Sequence, residues 1–105
     1  MPRVKFRTLT EQMFYVLLSL TRERCGTDIL DEVRELTAGR VSVGSGTLYN
    51  LLEEFAAAGF IRETRSEGRR RSYILTDAGR EALAGEYERI TAQAADYRRV
   101  LGGDD

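Results

Sequence analysis

Apolar residues recur along this chain in blocks whose period changes from helical to alternating and back. In the first block Leu9, Met13, Val16, Leu17 and Leu20 fall at helical spacing, and Phe14 and Leu18 add a second apolar side. Thr8-Leu9-Thr10-Glu11 has the spacing of a capping box, so a helix is expected from Thr8 to near Arg24, broken by Cys25-Gly26. A helix apolar on two sides is central to a core or shared with another subunit. The second block, Ile29, Leu30, Val33 and Leu36, predicts a helix capped by Thr27 or Asp28, with Asp31, Glu32, Arg34 and Glu35 on its outer side. Gly39 suits the left-handed position beyond its end. A third helix is expected from about Ser45 to Ala58. Leu48, Leu51, Leu52 and Phe55 face inward, Thr47, Tyr49, Asn50, Glu53 and Glu54 face outward, and Gly59 is the C-terminal cap.

The period then shortens. Phe60-Ile61 and Tyr73-Ile74-Leu75 bracket a charged stretch centred on Glu67-Gly68, which predicts a hairpin whose glycine supplies the positive φ of a two-residue turn. In that register Ile61 faces Ile74, Phe60 faces Leu75, Arg62 faces Tyr73, Thr64 faces Arg71 and Arg65 faces Arg70. A longer loop would shift these pairs by a residue. The root is apolar and the tip charged, and opposed arginines repel unless an acid or an external anion lies between them. Thr76 or Asp77 caps a last helix reaching to about Leu101, whose apolar positions Leu83, Tyr87, Ile90, Ala94, Tyr97 and Leu101 are spaced 4, 3, 4, 3 and 4. That is a heptad seam, longer than the small preceding domain can cover, and it predicts a dimer interface.

These elements make an α+β, mostly α chain. A helix to enter a groove beside a basic hairpin is the pairing found in a winged helix-turn-helix, expected over residues 1–76. A dimerisation helix follows over 77–101 and a disordered tail over 102–105.

Composition alters this picture little. With 105 residues, 42% hydrophobic and 31% charged, the chain is one ordinary globular domain. A net charge of −1 argues at first sight against a nucleic-acid partner. Its distribution matters more: residues 1–75 carry 12 Arg/Lys against 10 Asp/Glu, and residues 76–105 carry 4 against 7. Basic clusters stand at Arg3-Lys5-Arg7 and Arg69-Arg70-Arg71, so a local basic face is compatible with an acidic sum. One cysteine, Cys25, excludes an intrachain disulfide, and the absence of histidine removes the usual zinc sites and His-based triads. No metal or cofactor is expected. Without an apolar signal segment or a membrane-length apolar run, the expected location is the cytoplasm.

The chain resembles the PadR family of bacterial transcriptional regulators over nearly its whole length. The likeness lies in the Leu9-Thr10 to Leu20 segment, Gly46-Thr47-Leu48-Tyr49, Leu52-Glu53-Glu54-Phe55 with Gly59-Phe60-Ile61, and the run Gly68-Arg69-Arg70-Arg71-Ser72-Tyr73-Ile74-Leu75-Thr76-Asp77-Ala78-Gly79. Having one helix after the wing, the chain is similar to the smaller branch of that family. The resemblance implies a homodimeric, repressor-type winged helix whose last helix, with the first, makes the dimer. Asn50 departs from it, standing where proline or a basic residue is expected, and leaves open which bases are read.

Candidate contacts follow from residue chemistry. A helix start built of small residues admits a phosphate to its backbone N–H groups, which fits Gly44-Ser45-Gly46-Thr47, with the Ser45 and Thr47 hydroxyls as further donors. Asn50 can bond adenine bidentately. Tyr49 either reaches a phosphate or packs on a neighbouring loop. Arg69, Arg70 and Arg71 suit flanking phosphates or the minor groove. Tyr87 and Tyr97 read as dimer core rather than a ligand cage. Cys25 reads as a small structural thiol, with a redox sensor as the alternative. A small aromatic or hydrophobic effector is a candidate partner for the space between Met13, Phe14, Leu17 and Tyr87. A winged helix used only for protein–protein contact is the rival reading. Catalysis is not expected, for lack of a nucleotide loop or a convergent carboxylate pair.

Overall fold

The structure, a computed structural model, describes residues 8–68 and 70–102. The basic arm at Arg3-Lys5-Arg7, Arg69 and the end of the tail lie outside the described residues. The order is α1 (Glu11–Ser19), β1 (Arg24–Cys25), α2 (Gly26–Leu36), α3 (Ser45–Ala58), β2 (Ile61–Glu67), β3 (Arg70–Leu75) and α4 (Asp77–Leu101). The three strands form one antiparallel sheet in the order β1-β3-β2. The fold is the expected one, mostly helical with a hairpin and a long last helix, plus a strand that periodicity did not predict.

Both ends of α1 differ from expectation. Its N-cap is Thr10, not Thr8: Thr10 Oγ1 accepts from the Met13 N–H at 3.1 Å, and the Thr10 N–H donates to Met13 Sδ at 3.2 Å. A thioether thus takes the place of the usual Glu or Gln in a capping box. The helix stops at Ser19 rather than near Arg24 because tertiary partners take its last carbonyls. Arg24 Nε donates to Ser19 O at 2.7 Å, and the Leu75 N–H donates to Leu20 O at 2.8 Å. The same chain segment then pairs with β3, Arg24 with Tyr73 and Cys25 with Ser72. This moves the N-cap of α2 back to Cys25, ahead of the expected Thr27 or Asp28. Leu36, expected on the inner stripe of α2, is 45% exposed.

The core is a cluster from all four helices and the sheet, including Val16, Leu17, Leu20, Ile29, Val33, Leu48, Leu52, Phe55, Ile61, Leu75 and Leu83. Gly39 and Gly59 end α2 and α3 at φ +81° and +83°, as expected. Behind α2, Thr37 Oγ1 donates to Val33 O at 2.9 Å and accepts from the Val41 N–H at 3.0 Å, satisfying a buried hydroxyl in the turn that leads to α3.

The hairpin register is corrected by the structure. Ile61 pairs with Leu75, Arg62 with Ile74 and Glu63 with Tyr73; past a bulge at Thr64, Arg65 pairs with Ser72, Ser66 with Arg71 and Glu67 with Arg70. The turn lies one residue later than expected, with Gly68 at φ +62°. Among the described residues the expected Arg65–Arg70 pair does not form: Arg65 lies opposite Ser72 and Arg70 opposite Glu67, an acid.

The joint between wing and last helix explains another glycine. Thr76 Oγ1 donates to Gly59 O at 2.6 Å and accepts from the Gly79 N–H at 3.1 Å. A side chain at Gly79 would collide with the Phe60 carbonyl and come within 2.6 Å of Leu75 Cδ1. Beyond this joint α4 is buried only at Leu83 and Glu86. Leu83, expected on the dimer seam, is buried at 9% exposure in the chain's own core. The rest of the seam is free: Tyr87 is 64% exposed, Ile90 42%, Tyr97 65% and Leu101 70%, and Ala94 is exposed.

Candidate nucleic-acid interface

The third helix turns Leu48, Leu52 and Phe55 into the core and leaves Ser45, Thr47, Tyr49, Asn50 and Glu53 exposed. Apolar residues at three- and four-residue spacing force that division. Its N-cap, Gly44, offers no side-chain hydrogen bond. The first-turn N–H groups are therefore not capped from within by that residue. Gly44 occupies the N-cap, a position glycine suits, but Gly46 lies inside the first turn and has no steric reason to be glycine: a methyl built on it would meet nothing within 4 Å. Glycine in a helix costs about 0.5–1 kcal/mol relative to alanine. Close approach by something outside the chain is a physical reason to keep it.

The turn leading into this helix is clamped to α1. Arg40 Nη1 pairs with Glu11 Oε2 at 2.8 Å, Arg40 Nη2 donates to the Tyr15 hydroxyl at 3.2 Å, and Gln12 Nε2 donates to Ser42 O at 3.1 Å. The hydrogen bonds to Tyr15 and Glu11 raise the Arg40 pKa further above its ordinary value.

Between α3, the wing and the start of α2 lies an open cleft of about 760 Å³. Tyr49, Asn50, Glu53 and Ala56 line one wall, Glu63, Arg70, Arg71 and Tyr73 the other, and Cys25, Gly26 and Thr27 one end. Of the residues expected to touch DNA, Tyr49, Asn50, Arg70 and Arg71 share this cleft, Ser45 and Thr47 stand exposed in the first turn of α3, and Arg69 lies outside the described residues. Tyr49 packs on a neighbouring element, the start of α2. Its hydroxyl lies against Gly26, where a methyl would come within 2.9 Å, yet the residue is 57% exposed.

Sequence reasoning missed how the wing is held. Glu23 Oε2 accepts from Thr64 Oγ1 at 2.7 Å, at the bulge, and lies 3.7 Å from Arg65 Nε. Across the hairpin Glu63 Oε2 lies 3.9 Å from Arg71 Nε. Nothing local signals a contact spanning 41 residues. The Cys25 thiol is buried and donates to Asp28 Oδ2 at 3.3 Å, a structural placement at the start of α2.

The space expected to hold an effector is not open in this chain as it stands. Leu17 is wholly buried, Met13 and Phe14 are half-buried against the core, and Tyr87 is exposed on α4. Nearby, Glu86 is a buried carboxylate that accepts from Arg89 and, at 3.3 Å, from the Leu9 N–H. Those bonds, Arg89 first, hold its pKa below the ordinary value against the opposing effect of burial. Among the described residues no group of three or more metal-ligating side chains occurs, and no helix is long and apolar enough to cross a membrane.

A helix with an exposed polar face, a hairpin with arginines beside it and a small sheet define a winged helix-turn-helix of the kind used by transcription regulators. The sequence model of the transcriptional regulator PadR-like family matches residues 16–85. The chain belongs to that family, whose members are DNA-binding transcriptional regulators and not enzymes. Solved structures agree on the fold. A transcriptional regulator from Clostridium thermocellum, Cth-833, is 18% identical with a TM-score of 0.73, over 87% of this chain and 92% of that one. A PadR family transcriptional regulator from Eggerthella lenta is 19% identical with a TM-score of 0.74, over 89% and 83%. RosR of H. salinarum is 24% identical with a TM-score of 0.64, over 90% and 98%. No curated protein matches the chain in sequence.

Proposed function

We propose that this chain is a homodimeric, repressor-type regulator that binds an inverted-repeat operator through α3 and the wing. The observation that carries the reading is the shared cleft: Asn50 and Tyr49 on α3 face the same opening as Arg70 and Arg71 on the wing. Ser45, Thr47 and the N–H groups of the first turn take phosphate, Asn50 takes a base edge, and the wing arginines take flanking phosphates or the minor groove. Arg69 would add a third charge to the wing. The exposed apolar positions Tyr87, Ile90, Ala94, Tyr97 and Leu101 suit a coiled pairing of two copies of α4.

Two reading helices related by such a two-fold axis would meet successive major grooves about 34–36 Å apart. An effector that binds the dimer's states unequally, in the neighbourhood of Met13, Phe14 and Tyr87, would change that spacing and so the affinity. Titration calorimetry with small aromatic ligands checks this arm: no heat and unchanged operator affinity count against it.

The decisive experiment is selection of bound duplexes from a random pool. The expected product is a palindrome with half-sites one turn apart. Asn50→Ala should alter the selected sequence, whereas Arg70→Ala with Arg71→Ala should weaken binding to every sequence. Binding that ignores salt would favour the protein–protein rival, since each neutralised phosphate contributes a log–log slope of about −0.9.

A further inference from the structure

One wall residue of the cleft has no role in the reading above. Glu53 stands one turn beyond Tyr49 and Asn50 on the same exposed face of α3 and lines the same opening. The other cleft carboxylate, Glu63, has Arg71 beside it at 3.9 Å; among the described residues no cation pairs with Glu53. An exposed glutamate is usually just a solvated side chain. This one faces a cleft furnished with arginines, an amide and a phenol, where an unmatched negative charge opposes the binding that its neighbours favour.

Ionised carboxylates only accept hydrogen bonds. Beside a duplex, phosphates repel them, and the major groove offers them donors only at the amino groups of cytosine and adenine, cytosine N4 being the usual partner of glutamate. Guanine O6 or thymine O4 in the same place would set acceptor against acceptor. Such a residue discriminates by repulsion as much as by attraction.

We propose that Glu53 is a specificity-determining residue, accepting a hydrogen bond from the N4 amino group of a cytosine next to the base read by Asn50 and rejecting guanine and thymine there. The proposal rests on the DNA-binding reading and adds to it which base this side chain selects.

Selection from a random duplex pool, run in parallel with the wild type, Glu53→Ala and Glu53→Gln, tests it. The wild type should enrich cytosine at one position of each half-site. Glu53→Ala should lose that preference, by about tenfold at that position. Glu53→Gln should move it to adenine, whose N6 and N7 a glutamine side chain can bond together. All other positions should keep their preferences. Because Glu53 is exposed, both variants should retain the wild-type helical circular dichroism. Identical motifs from all three proteins would overturn the proposal. So would a uniform gain of affinity for every sequence, which would reduce Glu53 to a charge that repels phosphate. A wild type that enriches no motif and binds no duplex defeats the DNA reading itself, and that result is distinct from either.

Discussion

Replacing Gly46 by alanine should make the protein more stable and a poorer DNA binder. The residue is second in α3 and exposed, and an added methyl meets nothing within 4 Å, so no packing penalty is incurred. Helix propensity favours alanine by about 0.5–1 kcal/mol, and the first turn takes the lower part of that range. For a chain of 105 residues this is a rise in Tm of about 2–4 °C, compared at equal protomer concentration because association would also raise it. The opposite effect appears on DNA. A methyl group standing where a phosphate meets the backbone N–H groups removes a charge-assisted hydrogen bond of about 1.5–3 kcal/mol, or about 10- to 150-fold in Kd. The loss should be equal for all sequences, since phosphates carry none, and the salt slope should fall by about 0.9 per lost contact. Fluorescence anisotropy at several salt concentrations, beside a thermal scan, reads both quantities. A variant that is more stable yet binds with undiminished affinity and slope would refute the idea that glycine is kept here for the approach of phosphate.

Gly79→Ala should destabilise the fold by about 2–3 kcal/mol through overpacking, because its methyl would collide with the Phe60 carbonyl and press on Leu75; an unchanged urea midpoint would show that the joint gives way easily. Glu86 has a depressed pKa in the folded chain, so its contribution is present above its ordinary value of 4.5 and lost as pH falls through the folded value. The Tm gap between wild type and Glu86→Gln should therefore be open at pH 7 and close in acid, and a gap that ignores pH would remove the ionic explanation. If two copies pair through α4, the wild type should sediment as a dimer and Tyr97→Glu as a monomer with the helical spectrum intact, given that Tyr97 is 65% exposed in the single chain; a monomeric wild type, or a variant that stays dimeric, would remove this face of α4 as the interface.

The parts of the site that are legible in the sequence lie on α3 and at the arginine-rich end of the hairpin, where Arg70 and Arg71 share the cleft with Tyr49 and Asn50. Of Thr47, Tyr49, Asn50, Glu53 and Glu54, expected to face outward because Leu48, Leu52 and Phe55 turn inward, the first four are exposed and Glu54 is half-buried. What escaped were the supporting contacts made across the chain: Glu23 beneath the bulge at Thr64, Gly26 under the Tyr49 hydroxyl, and Glu63 beside Arg71. The wing register was misplaced because a single bulged residue shifts every pair beyond it, and alternation near a charged tip is too weak to show where the extra residue sits.

Periodicity and end signals alone determined that there are three helices, a hairpin and a long last helix, because a 3.6-residue or two-residue repeat and a following glycine are properties of neighbouring residues. Tertiary structure alone decided where α1 stops, since Ser19 and Leu20 give their carbonyls to Arg24 and Leu75, and that Arg24–Cys25 becomes a strand, since only β3 makes it one. It also decided that Leu83 belongs to the core while the apolar positions after Glu86 stay exposed. A heptad repeat states that a helix has an apolar edge; which part of that edge the chain itself covers depends on how far the folded domain reaches along it.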